Sequence, residues 1–147
     1  MYQNWFANLA VVGATLIAVV ACILTHYEGL IGLSRALEAK VSPSRVKVLY
    51  AILSLLFLHV AEIWIFGFAL WGLLHWPECG GLGARSPNLF DAVYFSAVTF
   101  STVGYGDMVP VGPIRFLAGT ESLVGLVLIT WSASFTYLEM ERFWRRR

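Results

Sequence analysis

Apolar and polar positions in this chain segregate into blocks of tens of residues, with no sustained alternation of period two. Three apolar blocks stand out: Trp5–Thr25, Val46–Leu74 and about Ile114–Leu138. Each exceeds the roughly 18 apolar residues that mark a bilayer-crossing helix. A fourth block, near Pro87–Ser101, is too short to cross and should enter the membrane and return. The polar stretch 26–45 carries Leu30, Leu33, Leu37 and Val41 at steps of three and four. That spacing suits a short amphipathic helix lying in the interface, or a linker holding a helical turn. Ser42-Pro43-Ser44 ends it and starts the second long helix, while Pro77, Gly80, Gly81, Gly83 and Pro87 mark 75–89 as loop. Ser86 and Pro87 make an N-cap and first-turn pair for the short helix. The pattern predicts an all-α integral membrane protein, with three transmembrane helices and a re-entrant helix between the second and third.

The short helix runs into Thr102-Val103-Gly104-Tyr105-Gly106-Asp107. Gly104 and Gly106 take positive φ without a Cβ clash. Placed between them, Val103 and Tyr105 let successive carbonyls point one way while their side chains pack behind. Such a column, with the Thr102 hydroxyl below it, could replace the water shell of a weakly hydrated monovalent cation. Irregular backbone at membrane depth persists only where it is buried or lines a cavity.

These six residues closely resemble the selectivity filter of potassium channels, and Phe90–Ser101 resembles that family's pore helix. The resemblance covers roughly 46–142. It implies a potassium-selective channel that conducts passively, with K⁺ held at Thr102, Val103, Gly104 and Tyr105, Gly106 and Asp107 completing the filter, and Thr99, Ser101 and Glu121 supporting it. With the apolar blocks, it gives an expected division into an N-terminal transmembrane helix (1–25), a cytoplasmic loop or interfacial helix (26–45) and, where the resemblance lies, a pore domain (46–147). One chain offers a single strand of carbonyls, so a ring needs several copies about an axis. The number four, a homotetramer, comes from the resemblance, and hetero-assembly with other pore chains stays open.

Gly125 resembles the hinge glycine of the family's inner helix, although glycine at a helix contact serves packing equally well. Continuing one face from it gives Ile129, Ser132, Ala133 and Thr136 as candidate cavity lining. Three features depart from the family. Val98 stands where some relatives carry a carboxylate. Phe95 stands where many have an indole that donates towards the filter aspartate, so a thinner cuff around Tyr105 and Asp107 is expected. An extra helix precedes the two-helix core, and no helix carries Arg or Lys at every third position, so no voltage sensor of the usual kind and no following ligand-binding domain is expected.

Intramembrane ionisable residues call for a function or a partner. Glu121 lies one turn before Gly125 and reads as a scaffold carboxyl bonding the pore helix, a cavity charge, or a partner of another chain. His59 and Glu62, three apart on the second long helix, read as hydrogen-bonding groups between helices or as a proton-sensitive pair. Trp64, Phe66, Phe68 and Trp71 are expected to face lipid. Cys22 reads as a small residue in an apolar span, and Cys79 as a loop thiol within reach of a neighbouring subunit.

Composition and charge then narrow the picture. With 59% hydrophobic and 13% charged residues, the chain has too little polar surface for a soluble domain. The net charge of +1 says little, but its distribution is informative. Eight of the ten Lys and Arg lie in 26–47 or at the C-terminus, leaving Arg85 and Arg115 on the other side. The positive-inside rule puts the N-terminus outside, the C-terminus in the cytoplasm and Asp107 facing outward, as a multi-pass protein of the plasma or cell inner membrane. No loop holds a nucleophile–base or metal constellation, so an enzyme, an organic cofactor and a nucleic-acid partner are not expected. A proton-coupled transporter built on His59, Glu62 and Glu121 lacks the expected inverted repeat.

Overall fold

A computed structural model describes residues 4–39, 43–83 and 87–145. Its helices are α1 (Trp5–Ala39), α2 (Ser44–Leu74), α3 (Leu89–Phe100) and α4 (Arg115–Arg145), with a 3-10 turn at Pro77–Cys79. The helices α1, α2 and α4 are long and apolar enough to cross a membrane.

The break expected near His26 is absent, because α1 is a single helix of 35 residues, about 52 Å at the helical rise. Its buried stripe explains why. Ala7, Val11, Thr15, Ala18, Cys22, His26, Leu30, Leu33 and Leu37 follow one another at steps of three and four without interruption. Glu28, Arg35 and Glu38 lie on the exposed side, so the polar residues after position 26 decorate the helix instead of ending it. Leu30, Leu33 and Leu37 therefore pack against Ala51 and Leu55 of α2. Val41, Lys40, Ser42, Arg85, Ser86, Arg146 and Arg147 lie outside the described residues. Small residues along the first half of the stripe permit the close helix approach on which membrane packing relies. At Gly29, an added Cβ would lie 2.8 Å from the Leu58 side chain.

The α1–α2 turn is closed by backbone and side chain together. The Pro43 carbonyl accepts from the amides of Val46 (3.0 Å) and Lys47 (3.3 Å). Lys47 Nζ reaches back to donate to the Leu37 carbonyl at 2.9 Å. It thereby satisfies one of the acceptors that the last turn of a helix leaves free. Phe135 of α4 packs on the leucine cluster at this same end. Arg35, Arg45, Lys47 and Arg142 thus gather at one end of the bundle, and Arg115 opens α4 at the other.

At that other end, two loops are stitched together. Gly81 and Val111 form an antiparallel bridge, donating to each other at 3.0 and 2.8 Å, and the Ile114 amide donates to the Cys79 carbonyl at 3.0 Å. Gly80 sits at φ 113, with the Val111 carbonyl 2.0 Å from where a Cβ would be, so glycine is required there. Cys79 is fully buried in this stitch, not open to a neighbouring subunit. Burial, with Glu78 nearby, pushes its thiol above the usual range.

The cap of α3 is Asn88, one residue past the expected Ser86–Pro87 pair. Asn88 Oδ1 accepts from the Asp91 amide (3.0 Å), and Asp91 Oδ2 accepts from the Asn88 amide (2.9 Å). This reciprocal pair satisfies two donors at once. With 12 residues, α3 spans only about 18 Å. The core around it includes Phe66, Leu70, Phe95, Phe100, Leu117 and Leu128. Phe66 is therefore a core residue and does not face lipid, whereas Phe68 and Trp71 are exposed. Facing α3, Gly67 has the Val93 side chain 2.8 Å from its Cβ position.

Candidate functional site

The stretch 102–107 begins where α3 runs out. The amides of Thr102 and Gly104 donate back to the carbonyls of Thr99 and Val98, each at 3.0 Å, turning the chain sharply beneath the helix end. Thr102, Gly104 and Gly106 then adopt φ of 60, 52 and 80, while the intervening Val103 and Tyr105 stay outside the left-handed region. Alternation of hand from one residue to the next brings successive carbonyls to the same side of the strand. Nothing lies within 4 Å of a Cβ built on Gly104 or Gly106, so φ and not space demands glycine at both. Thr102 is the one described non-glycine residue with positive φ. For a β-branched residue that is a true outlier, of the kind that persists where function requires it. All six residues from Thr102 to Asp107 are exposed in the single chain.

Behind the strand, Asp107 is held from two sides. Tyr94 donates its hydroxyl to Asp107 Oδ2 at 2.7 Å, and the Met108 amide donates to Oδ1 at 3.1 Å. The bond to the carboxylate raises the Tyr94 hydroxyl above its ordinary pKa. The cuff is thus not thinned by Phe95, which is buried in the core. Its neighbour Tyr94, one position earlier, provides the donor.

Glu121 is fully buried, and its carboxyl is hydrogen-bonded to the Ser96 hydroxyl of α3. Ser96 Oγ also lies 2.8 Å from the Ile63 carbonyl, so one hydroxyl links α2, α3 and α4. Ser101, expected to support the strand, instead donates to the Ala97 carbonyl at 2.7 Å. Thr99 contributes through its carbonyl. Gly125 is buried where α4 crosses the end of α3, and a Cβ would lie 2.0 Å from the Phe100 carbonyl oxygen. Helix α4 runs through this point without a break. The face drawn from Gly125 divides. Gly125 and Ser132 turn towards the chain's own helices together with Leu128, Ile129 and Ala133 are open, and Thr136 is half-buried. An open groove of about 370 Å³ separates the strand from the start of α4, bordered by Thr99, Thr102, Gly104, Met108, Arg115 and Ser122.

A second polar centre lies deep in the bundle and includes a residue the sequence alone did not single out. Glu62 is fully buried, and both of its carboxylate oxygens are taken. Oε1 is 2.7 Å from His26 Nδ1 and Oε2 is 2.8 Å from His59 Nδ1. The His26 ring also stacks on His59 (centroids 5.6 Å apart) and tilts against Trp131 of α4 at 5.1 Å. His59 in turn meets Phe100 at 5.9 Å. His26 sits one turn after Cys22 on the buried stripe of α1, and that periodicity is the signal that could have found it.

Comparison with known proteins bears on the region that holds the strand. A family model described as "ion channel" matches residues 48–139, more than half of the chain. The chain belongs to the ion channel family. Curated relatives of this family member include the inward rectifier potassium channel Kirbac3.1 of Paramagnetospirillum magnetotacticum, 36% identical over 72 residues, which are 47% of this chain and 24% of that one. Protein LctB of Geobacillus stearothermophilus is 37% identical over 60 residues, 41% of this chain and 45% of that protein. The two-pore potassium channel 4 of Arabidopsis thaliana is 49% identical over 49 residues, 33% of this chain and 15% of that one. The chain thus spans less than half the length of these relatives. No solved structure matches it. Helices α2, α3 and α4 hold the matched region, and α1 lies before it.

Proposed function

We propose that the chain is one subunit of a potassium-selective channel, with the backbone of Thr102, Val103, Gly104 and Tyr105 as the ion-binding surface. The observation that carries this reading is the alternation of positive φ at Thr102, Gly104 and Gly106 on a strand that nothing in its own chain covers. Carbonyls aligned on one side substitute for the hydration shell of K⁺ only when other copies close the ring. Four copies, the number implied by the resemblance, would place the exposed strands around a common axis, with the groove beside Thr99 and Ser122 free to receive a neighbour. The C-terminus of α3 directs its partial negative charge towards that axis. Relatives whose names identify potassium channels support the choice of ion.

In this assembly Glu121 and Ser96 hold α3 against α4, and Tyr94 holds Asp107 at the outer mouth. Ile129 and Ala133 are the inner-helix positions best placed to line a cavity, and Gly125 is the point at which α4 could hinge. The basic end of the bundle, with Arg35, Lys47 and Arg142, faces the cytoplasm under the positive-inside rule. The protein then lies in the cell's plasma or inner membrane with Asp107 outward.

The test is flux from liposomes containing the purified full chain, under a K⁺ or an Na⁺ gradient. Selective K⁺ flux, abolished by Gly104→Ala in a protein that still assembles on sizing, is the expected result. Undiminished flux in that variant would reject the filter assignment. Flux that needs a proton gradient would indicate a transporter, and silence of the wild type an accessory subunit.

A further inference from the structure

We propose that His26, His59 and Glu62 form a binding site for a single divalent transition-metal ion of the Zn²⁺ type, which clasps α1 to the pore helices. One donor atom from each residue converges, all within 4.8 Å of one another. Two imidazole nitrogens and a carboxylate oxygen are a donor set that suits Zn²⁺ and Co²⁺, with a position left for water. At metal–ligand distances of about 2.0–2.1 Å, tetrahedral ligands sit roughly 3.4 Å apart. The 2.7 and 2.8 Å contacts run to different oxygens of Glu62, so one carboxylate oxygen would serve as ligand and the imidazole now on the other oxygen would shift towards the ion. An ion would then replace the two hydrogen bonds that now join Glu62 to the imidazoles.

The surroundings favour a cation here. Glu62 and His26 are fully buried, and a buried carboxylate is tolerated only with a positive partner or several donors. His26 Nε2 has no hydrogen-bond partner. Hydrogen bonding thus holds the ring through Nδ1, while the ring packs on His59 and Trp131. For Nδ1 to bind the ion, its hydrogen bond to Glu62 gives way and the ring proton is carried by Nε2. The side chain of His59 is 16% exposed in the single chain, whereas those of His26 and Glu62 are fully buried. Because His26 belongs to α1 and the other two ligands to α2, occupancy ties the extra helix to the core beside Phe100 and Trp131.

The experiment uses the full chain in lipid nanodiscs, stripped with a chelator and titrated with Co²⁺ alone. Visible absorption saturating at one ion per chain and displaced by Zn²⁺ is the expected result, together with a Zn²⁺-dependent rise in melting temperature. His26→Gln and His59→Gln should each weaken Co²⁺ binding by at least about 100-fold, the upper end of the loss seen when only an outer partner is removed. His75→Gln, at an exposed histidine outside the cluster, should leave binding unchanged. If His26→Gln does not fold, His59→Gln, at the more open position, decides the comparison. Binding that survives His59→Gln, binding lost with His75, or an adventitious ion only would overturn the site. The readout needs no ion flux, so its failure leaves the channel reading standing, and a silent channel leaves the metal site standing.

Discussion

Two glutamates are sealed inside this bundle, and they are held in opposite ways. Glu62 has a histidine on each oxygen. Glu121 bonds a single hydroxyl, and its Oε2 has no partner among the described residues. The partners differ as well. Ser96 keeps the Ile63 carbonyl as an acceptor if Glu121 is removed, whereas among the described residues Nδ1 of His26 and Nδ1 of His59 each bond Glu62 alone. Burial alone therefore does not rank the two. What ranks them is how many donors each carboxyl would leave stranded.

The largest expected effect follows from that count. In metal-free protein, Glu62→Ala should destabilise by about 3–5 kcal/mol, the usual result of removing one member of a buried ionic cluster. Thermal unfolding in nanodiscs measures it, and a loss no greater than for Glu121→Ala would undo the comparison. Next comes Gly125→Ala, which forces a methyl into the Phe100 carbonyl. A destabilisation of about 1–3 kcal/mol is expected for such overpacking, with altered conduction. An unperturbed variant would show that α4 can move away freely.

Glu121→Ala should cost about 1–3 kcal/mol. Glu121→Gln should retain selectivity better than Ala, because an amide can still bond Ser96; equal selectivity in the two variants would count against a scaffold role. The smallest effect is expected at the exposed Tyr94–Asp107 bond, where Tyr94→Phe removes the hydroxyl donor. Its pH dependence has a definite sign. The folded-state pKa of Tyr94 is raised above 10.0, chiefly by its bond to Asp107. The contribution is therefore complete at neutral pH and disappears as pH climbs through the raised value. Filter function in the wild type should fade in that alkaline range, and Tyr94→Phe should lack that step.

Much of this architecture could be read from the chain, for identifiable reasons. The three long helices follow from block hydrophobicity. The strand follows from Gly104 and Gly106 placed just after a helix too short to span. The continuity of α1 was hidden because its buried stripe, from Ala7 to Cys22, is as apolar as the lipid-facing residues around it, leaving no contrast to detect. Polar residues beyond His26 then imitated a helix end. Phe66 was misplaced for the same reason, since in a membrane protein hydrophobicity does not distinguish core from lipid contact. The Tyr94–Asp107 bond spans thirteen residues through a reversal of the chain, and only the folded strand brings the two together. The Glu62 cluster needs α1 packed on α2 before His26 can reach it.

The contact at Gly125 has a mechanical consequence. Two main chains touch there with no side chain between them, so the crossing acts as a fulcrum with almost no play. Were the far half of α4 to swing, the short arm of the lever would press on Phe100, two residues before Thr102. A displaced far end of α4 would then load the strand through this contact.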